Sequence, residues 1–353
     1  MKLKITKIVA LFLLNFLLIF LGFEFYFRYI YDTTDILNYG LSSQRWNQRY
    51  VQLNSFGFRD DEYVADSLNK DEKPITIFFM GDSFTFGLGI KNTQDRYANL
   101  VCDVLKKKLG NVRCYNLAYH GWDLGNYVDT LEEYMTRIGP PDVVIFQYFM
   151  NDIEIYNRLR FETNEFSTQD RDAFMGYVHS DPLNPALDFL YWKSYAFNFF
   201  YLRYRLLSSV KGITYEEVLQ NDYADQKKYQ LVENQLARIT QLNQLSSAQA
   251  GFVIFPLMDA NRKTYRLMDA HQKLHKSLSD QGFPWFDLTS TYWQYAPKQL
   301  IVNTFDAHPN EKANRMAATK VLDLVSILLE RQATNSSAKR FQAINSCQSF
   351  QLN

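Results

Sequence analysis

The chain of 353 residues predicts a doubly wound α/β domain built on a parallel sheet. Three observations predict it. From residue 75 onwards, apolar β-prone runs alternate with segments of helical spacing. The first run, Ile75 to Met80, is mostly apolar and β-prone, as a strand covered on both faces is. It runs straight into Gly81-Asp82-Ser83, so polar side chains arrive at the C-terminal end of a strand. That edge is where open α/β sheets bind their ligands.

Composition narrows the function classes. An apolar fraction of 47% belongs to a globular chain and excludes general disorder. Basic and acidic residues both number 38, so there is no basic excess to suggest nucleic-acid binding. The three cysteines, Cys102, Cys114 and Cys347, have no metal-ligand spacing. Cys102 and Cys114 are expected as small buried residues, with a disulfide open to them if the domain lies outside the cytoplasm.

Taken in order, the N-terminus carries Lys2, Lys4 and Lys7, then an apolar run from Ile8 to Phe23 broken only by Asn15. A basic start followed by an apolar run predicts a membrane anchor over residues 1–32. The run is slightly short for about 20 spanning residues, but the Phe/Tyr segment after it extends it as an interfacial belt. No small-residue cleavage site follows, which argues for retention. The lysines place the N-terminus in the cytoplasm and the remaining chain outside it, in the periplasm or at the cell surface.

Residues 33–73 read as a polar approach segment. Within it Phe56-Gly57-Phe58-Arg59 is expected to pack at the rim of the site. The main domain is expected over 74–331. Its elements are a helix over 94–109 closed by Gly110, a strand over 112–118 and a helix over 124–138. A strand over 142–149 follows, ending at Met150-Asn151-Asp152. Residues 153–248 break the rhythm as a helical insertion with an aromatic and basic stretch over 191–205. That stretch reads as a cap, a membrane-surface helix or a packed helix. An amphipathic helix spans 230–245. The sheet resumes over 251–257, then a helix with His271 and His275, a strand over 284–288 and a last helix over 311–329. Residues 332–353 read as a loose tail.

A serine nucleophile needs a base within hydrogen-bond reach, and the base needs an orienting group. Ser83 is the candidate nucleophile, with the alternative that Asp82 or Ser83 merely caps the next helix. His308, expected in the loop before the last helix, is the candidate base, and Asp306 its partner. His120 is placed to line the same pocket, and His179 has no motif around it. His271 and His275 are four apart on a helix but show no third ligand, so they read as a solvated helix face, and Asp287 reads as structural. There is no phosphate-binding loop and no dinucleotide fingerprint.

In order along the chain, Gly81-Asp82-Ser83, Gly121, Asn151-Asp152 and Asp306-Ala307-His308-Pro309-Asn310 resemble the motif blocks of the SGNH/GDSL hydrolases. The resemblance covers about residues 75–330 apart from the insertion. It implies a three-layer α/β/α sandwich of the SGNH/flavodoxin-like type. It also implies a hydrolase that cleaves acyl esters through an acyl-serine, with no cofactor and no metal. The Ser83 backbone amide, Gly121 and Asn151 would form the oxyanion hole. An O-acetyl group on an envelope glycan or a lipid ester is the expected substrate class. Partners are then that ester and the membrane, and not nucleic acid. The alternatives are an O-acyltransferase of envelope polysaccharide and a non-catalytic envelope binding protein. Two positions depart from the pattern: Phe305 stands where the family has its Asp, so the role passes to Asp306, and Phe149 stands where a Gly is usual. A Ser-His dyad helped by a main-chain carbonyl is the alternative at the first.

Overall fold

The computed structural model describes residues 2–35, 40–63, 73–155, 185–209 and 214–335. His179, Cys347 and the tail beyond 335 lie outside them. The chain forms two compact units, Gln52–Glu162 with Ile213–Asn353, and Met1–Val51 with Thr163–Gly212.

The larger unit holds a parallel sheet of β1 (Ile75–Gly81), β2 (Val112–Ala118), β3 (Val143–Phe149), β4 (Gln249–Phe255) and β5 (Trp285–Asp287), in the order β2-β1-β3-β4-β5. Every residue of β1 is buried, because the strand is central and both its faces are covered. Phe78 and Met80 point into a core shared with helices Leu124–Arg137, Gln226–Ser246 and Met268–Asp280. Ile77 and Phe79 point the other way, against helices Tyr97–Leu109 and Glu311–Asn335. This is the expected α/β/α sandwich. The order reverses between β2 and β3, so the switch point lies at the C-terminal ends of β1 and β3.

In chain order the helices are α1 (Lys2–Phe25), α2 (Leu41–Tyr50), α3 (Ser83–Phe86), α4 (Tyr97–Leu109), α5 (Leu124–Arg137), α6 (Pro185–Lys193), α7 (Tyr195–Ser209), α8 (Tyr215–Ala224), α9 (Gln226–Ser246), α10 (Met268–Asp280), α11 (Thr289–Tyr292) and α12 (Glu311–Asn335). Two expectations on domain limits change. The insertion is divided: α6 and α7 group with the N-terminal segment, while α8 and α9 belong to the sheet unit. The reason for the second is burial, since α9 sets Tyr229, Val232, Leu236 and Ile239 into the sheet's core. The approach segment is divided likewise, with α2 in the smaller unit and the Phe56–Arg59 patch in the larger. The last helix runs six residues further than expected, to Asn335, and Gln332 is buried by it.

In the smaller unit, Ile5–Ile30 is a helical stretch of 26 residues, long and apolar enough to cross a membrane, and no residue of its most apolar 18-residue window is buried. The helix ends in a π-helical turn, Tyr26–Ile30. The Arg45 guanidinium, carried by α2, gathers the carbonyls of Phe27, Arg28 and Tyr31 there. That satisfies acceptors a helix end otherwise leaves open.

Cys102 on α4 and Cys114 on β2 form a disulfide, where small unpaired residues were expected. Antiparallel return from α4 into its neighbouring strand brings two cysteines of sequence separation 12 to a Cα–Cα distance of 6.1 Å. Closing a loop of that length removes unfolded-state entropy worth about 3 kcal/mol. Replacing both cysteines by serine is therefore expected to lower the urea midpoint by about that much stability. Dithiothreitol should then shift the wild type and leave the double variant where it is.

Candidate active site

Ser83 is positioned by a close approach of backbone to side chain. A Cβ on Gly81 would sit 2.1 Å from Thr85 Oγ1 and 2.5 Å from Gln147 Oε1, so only glycine fits. Through that gap Gln147 Oε1 accepts from the Asp82 amide at 3.0 Å and from the Thr85 hydroxyl at 3.1 Å. Asp82 then caps α3, accepting from the Phe84 amide at 2.8 Å. Capping thus falls to Asp82, and the Ser83 hydroxyl meets an imidazole instead.

That imidazole is His308. Residues Asp306–Pro309 are a strand, β7, paired antiparallel with β6 (Ile301–Asn303), where a loop was expected. In a strand, residues two apart point to the same face. Asp306 and His308 therefore lie side by side, which explains how a two-residue spacing can serve. Asp306 Oδ1 bonds His308 Nδ1 directly and also accepts from the His308 amide at 3.1 Å. His308 Nε2 lies 2.8 Å from Ser83 Oγ. Two asparagines that sequence reasoning did not assign hold this strand. Asn310 caps α12 through the Ala313 amide at 3.1 Å and donates to the Gln299 and Ile301 carbonyls at 3.0 and 3.1 Å. Asn314 donates to the Pro309 carbonyl at 3.1 Å and accepts from the Tyr97 amide at 3.0 Å.

Gly121 follows β2 with φ +79°, and Asn151 follows β3 in a short 3-10 turn, Met150–Ile153. Both stand at the sheet edge that carries Ser83, on the two strands flanking β1. Asn151 Oδ1 is buried without a hydrogen-bond partner. Asp152 braces the turn, accepting from the Phe149 amide at 3.0 Å and the Tyr127 hydroxyl at 3.1 Å. Burial, and then the nearby Asp82 charge, push the Asp152 carboxyl well above the usual carboxylate range.

Charge around the imidazole is arranged to favour its protonated form. Burial opposes that form, but the Asp306 carboxylate, its hydrogen bond and the Asp82 charge together raise the His308 pKa above the ordinary 6.5. Burial pushes the Asp82 carboxyl up to about 6, against the Phe84 amide and the His308 charge. His120 stacks on Tyr119 at 4.4 Å, and burial pushes its pKa down to about 4. It is neutral at pH 7 and hydrogen-bonds neither Ser83 nor Asp306 among the contacts of the described residues.

The Phe56–Arg59 patch does more than pack. Arg59 is buried and donates to the Gly87 carbonyl at 2.6 Å and the Ile90 carbonyl at 2.7 Å. It thereby clamps the loop that follows α3. Arg96, also buried, donates to the Arg59 carbonyl at 2.5 Å and pairs with Asp60 at 3.5 Å. Gly87 ends α3 at φ +78°, and a Cβ there would strike Arg96 at 2.4 Å.

The other histidine pair is not a solvated helix face. His271 is fully buried, because β5 delivers Asp287 against α10. Asp287 Oδ2 bonds His271 Nδ1 at 2.6 Å and His275 Nε2 at 2.7 Å, and Tyr265 meets His271 Nε2 at 2.8 Å. Burial alone would raise the Asp287 pKa; the two imidazoles hold it well below the usual range. Among the described residues this is the one group of such side chains close enough to hold a metal, within 4.8 Å of one another. Its contacts are direct hydrogen bonds that pin β5 to α10.

No protein-family model and no curated protein sequence matches the chain. Solved structures do. The esterase EstA from a Pseudoalteromonas species matches at 12% identity and TM-score 0.40, over 72% of this chain and 99% of its own. A lipolytic G-D-S-L family protein from Veillonella parvula matches at 14% and 0.37, over 70% and 97%. The acetylxylan esterase Axe2 from Geobacillus stearothermophilus matches at 13% and 0.37, over 71% and 93%.

Gly81→Ala is expected to destabilise the protein by about 1–3 kcal/mol, the cost of forcing a methyl into a packed site. It should also detach the Asp82 amide from Gln147. Thermal unfolding gives the first effect, and loss of reactivity at Ser83 in the folded fraction gives the second.

Proposed function

We propose that the chain is a membrane-anchored serine esterase or deacylase that cleaves an acyl ester outside the cytoplasm. The observation that carries this reading is the relay from Ser83 Oγ to His308 Nε2 at 2.8 Å, with Asp306 on the other ring nitrogen. A hydroxyl, a base with a raised pKa and an orienting carboxylate are the parts that nucleophilic acyl transfer requires.

In this mechanism Ser83 Oγ attacks the ester carbonyl carbon while its proton passes to His308 Nε2. Asp306 holds the imidazole in the accepting tautomer and stabilises the imidazolium. The oxyanion is received by the Ser83 and Gly121 amides and the Asn151 side chain. His308 then gives its proton to the leaving alkoxide, and an acyl-serine remains. Water, deprotonated by His308, attacks that ester and releases the acid and free Ser83.

Phe84 packs on Phe149 at 4.5 Å and on the His308 ring at 5.5 Å. This aromatic wall beside the nucleophile favours a short acyl group, such as an O-acetyl ester on an envelope glycan or a small lipid ester. Two observations support the location: lysines precede the apolar helix, and a disulfide joins Cys102 to Cys114, a bond that persists in oxidising compartments.

A fluorophosphonate probe should label the wild type and fail on Ser83→Ala and His308→Ala; a folded wild type that resists labelling would defeat the proposal. Free acid released from an acetylated glycan marks hydrolysis, whereas an acylated glycan acceptor marks transfer. The pH profile carries its own sign. Only neutral His308 accepts a proton, so kcat/KM should fall as pH drops through its raised pKa, with an acid limb above 6.5. Asp306→Asn should move that limb down and cut the rate about 10³- to 10⁴-fold. Asn151→Ala should cost about 10²- to 10³-fold in kcat, as loss of one oxyanion donor does.

A further inference from the structure

A membrane span and a helical corner meet in the smaller unit, and the contacts fix their relative height. A bilayer core takes about 20 helical residues, which counted from Ile8, just after Lys7, end at Phe27, between Glu24 and Arg28. Glu24 does not stand alone there. Its carboxylate accepts from the Ser194 hydroxyl at 2.8 Å and from the Tyr195 and Ala196 amides at 3.2 and 2.9 Å, the open N-terminus of α7. Arg28, one turn on, bonds Glu24 and donates to the Lys193 carbonyl at 2.7 Å, the C-terminal end of α6. An acid on a helix N-terminus and a base on a helix C-terminus both complement the helix dipoles. Phe27 stacks on Phe199 at 3.8 Å and Phe23 meets Phe200 at 5.3 Å. The α6–α7 corner is therefore stapled to the residues where the span leaves the hydrocarbon.

From that corner both helices leave large apolar side chains partly or largely exposed. On α6 these are Leu187, Phe189 and Leu190; on α7 they are Phe200 and Tyr204. The span's outer end exposes Phe25, Tyr26 and Tyr29 as well. Aromatic side chains at this level are what the headgroup region selects.

We propose that α6 and α7 form a membrane-interface collar, lying in the headgroup layer with these five side chains in lipid. The occupant is the bilayer itself, because Glu24, Arg28 and Phe27 fix the corner to the outer end of the span. The unit would then be held by a span and an interfacial helix pair together, which limits its tilt and rotation. This rests on reading α1 as a span.

The test uses the full chain in vesicles of phosphatidylethanolamine and phosphatidylglycerol, with Cys347→Ser as background and the disulfide intact. Single cysteines at exposed positions carry an environment-sensitive NBD label: Phe189→Cys and Tyr204→Cys in the collar, 62% and 66% exposed, and Leu14→Cys in mid-span. Shallow nitroxide lipids should quench the two collar labels about twofold or more, as expected for groups at the headgroup boundary. Collar labels with water-like, unquenched emission while Leu14→Cys is quenched would overturn the collar and leave the span. A blue-shifted but unquenched collar label would mean a protein cover, such as a second copy, and would overturn it too. An unquenched Leu14→Cys would remove the span and the collar together.

Discussion

The Asp82 amide donates across the sheet to the side chain of Gln147, and the geometry of the site hangs on that bond. It joins the end of β1 to β3 at the switch point, and it exists only because Gly81 has no side chain to fill the gap. Thr85 binds the same oxygen, so the first turn of α3 is drawn down onto the strand end. With its amide committed, Asp82 turns its carboxylate to the helix N-terminus, and Ser83 is left facing His308. A polar oxygen inside the apolar β3 would be costly unless bonded, and Gln147 Oε1 accepts two bonds. Here it is the latch.

A second set of polar groups carries the loops from outside. Arg59 binds the carbonyls after α3, Asn314 binds the end of β7 and the start of α4, and Asn310 ties the β6–β7 ribbon to α12. Each uses a side chain with several donors or acceptors to bridge backbone groups that no secondary structure pairs. Loop backbone must be satisfied somewhere, and rigid bridges of this kind hold reacting groups to within a fraction of an ångström. The same economy appears in the smaller unit, where Glu24, Arg28 and Arg45 satisfy helix ends.

Electrostatics at the site is a contest between burial and paired charge. Burial raises Asp82 and Asp152 and lowers His120. At His308 burial is the largest single effect, but the Asp306 carboxylate, its hydrogen bond and the Asp82 charge together outweigh it. The result is one imidazole poised to hold a proton and another kept neutral beside it.

Much of this molecule is local and so was readable from sequence. The strand–helix rhythm, the buried β1, the glycine turn and the places of Ser83, Gly121 and Asn151 after strands follow from periodicity and turn chemistry, while grouping those three into one site came from the resemblance to the SGNH/GDSL motif blocks. The apolar N-terminal helix follows from local pattern as well. What tertiary structure decided is pairing between distant segments. Asp306–Pro309 looks like a loop, since four residues around a proline carry no strand signal, yet pairing with Ile301–Asn303 makes it a strand and puts Asp306 beside His308. Asp287 joins His271 and His275 only because β5 lies against α10, and Cys102 meets Cys114 only because α4 packs back on β2. The insertion divides between two units because burial of each helix face depends on which neighbour it finds. Gln147 was visible as a polar residue in an apolar run, but its partner lies 65 residues away, beyond what local pattern carries.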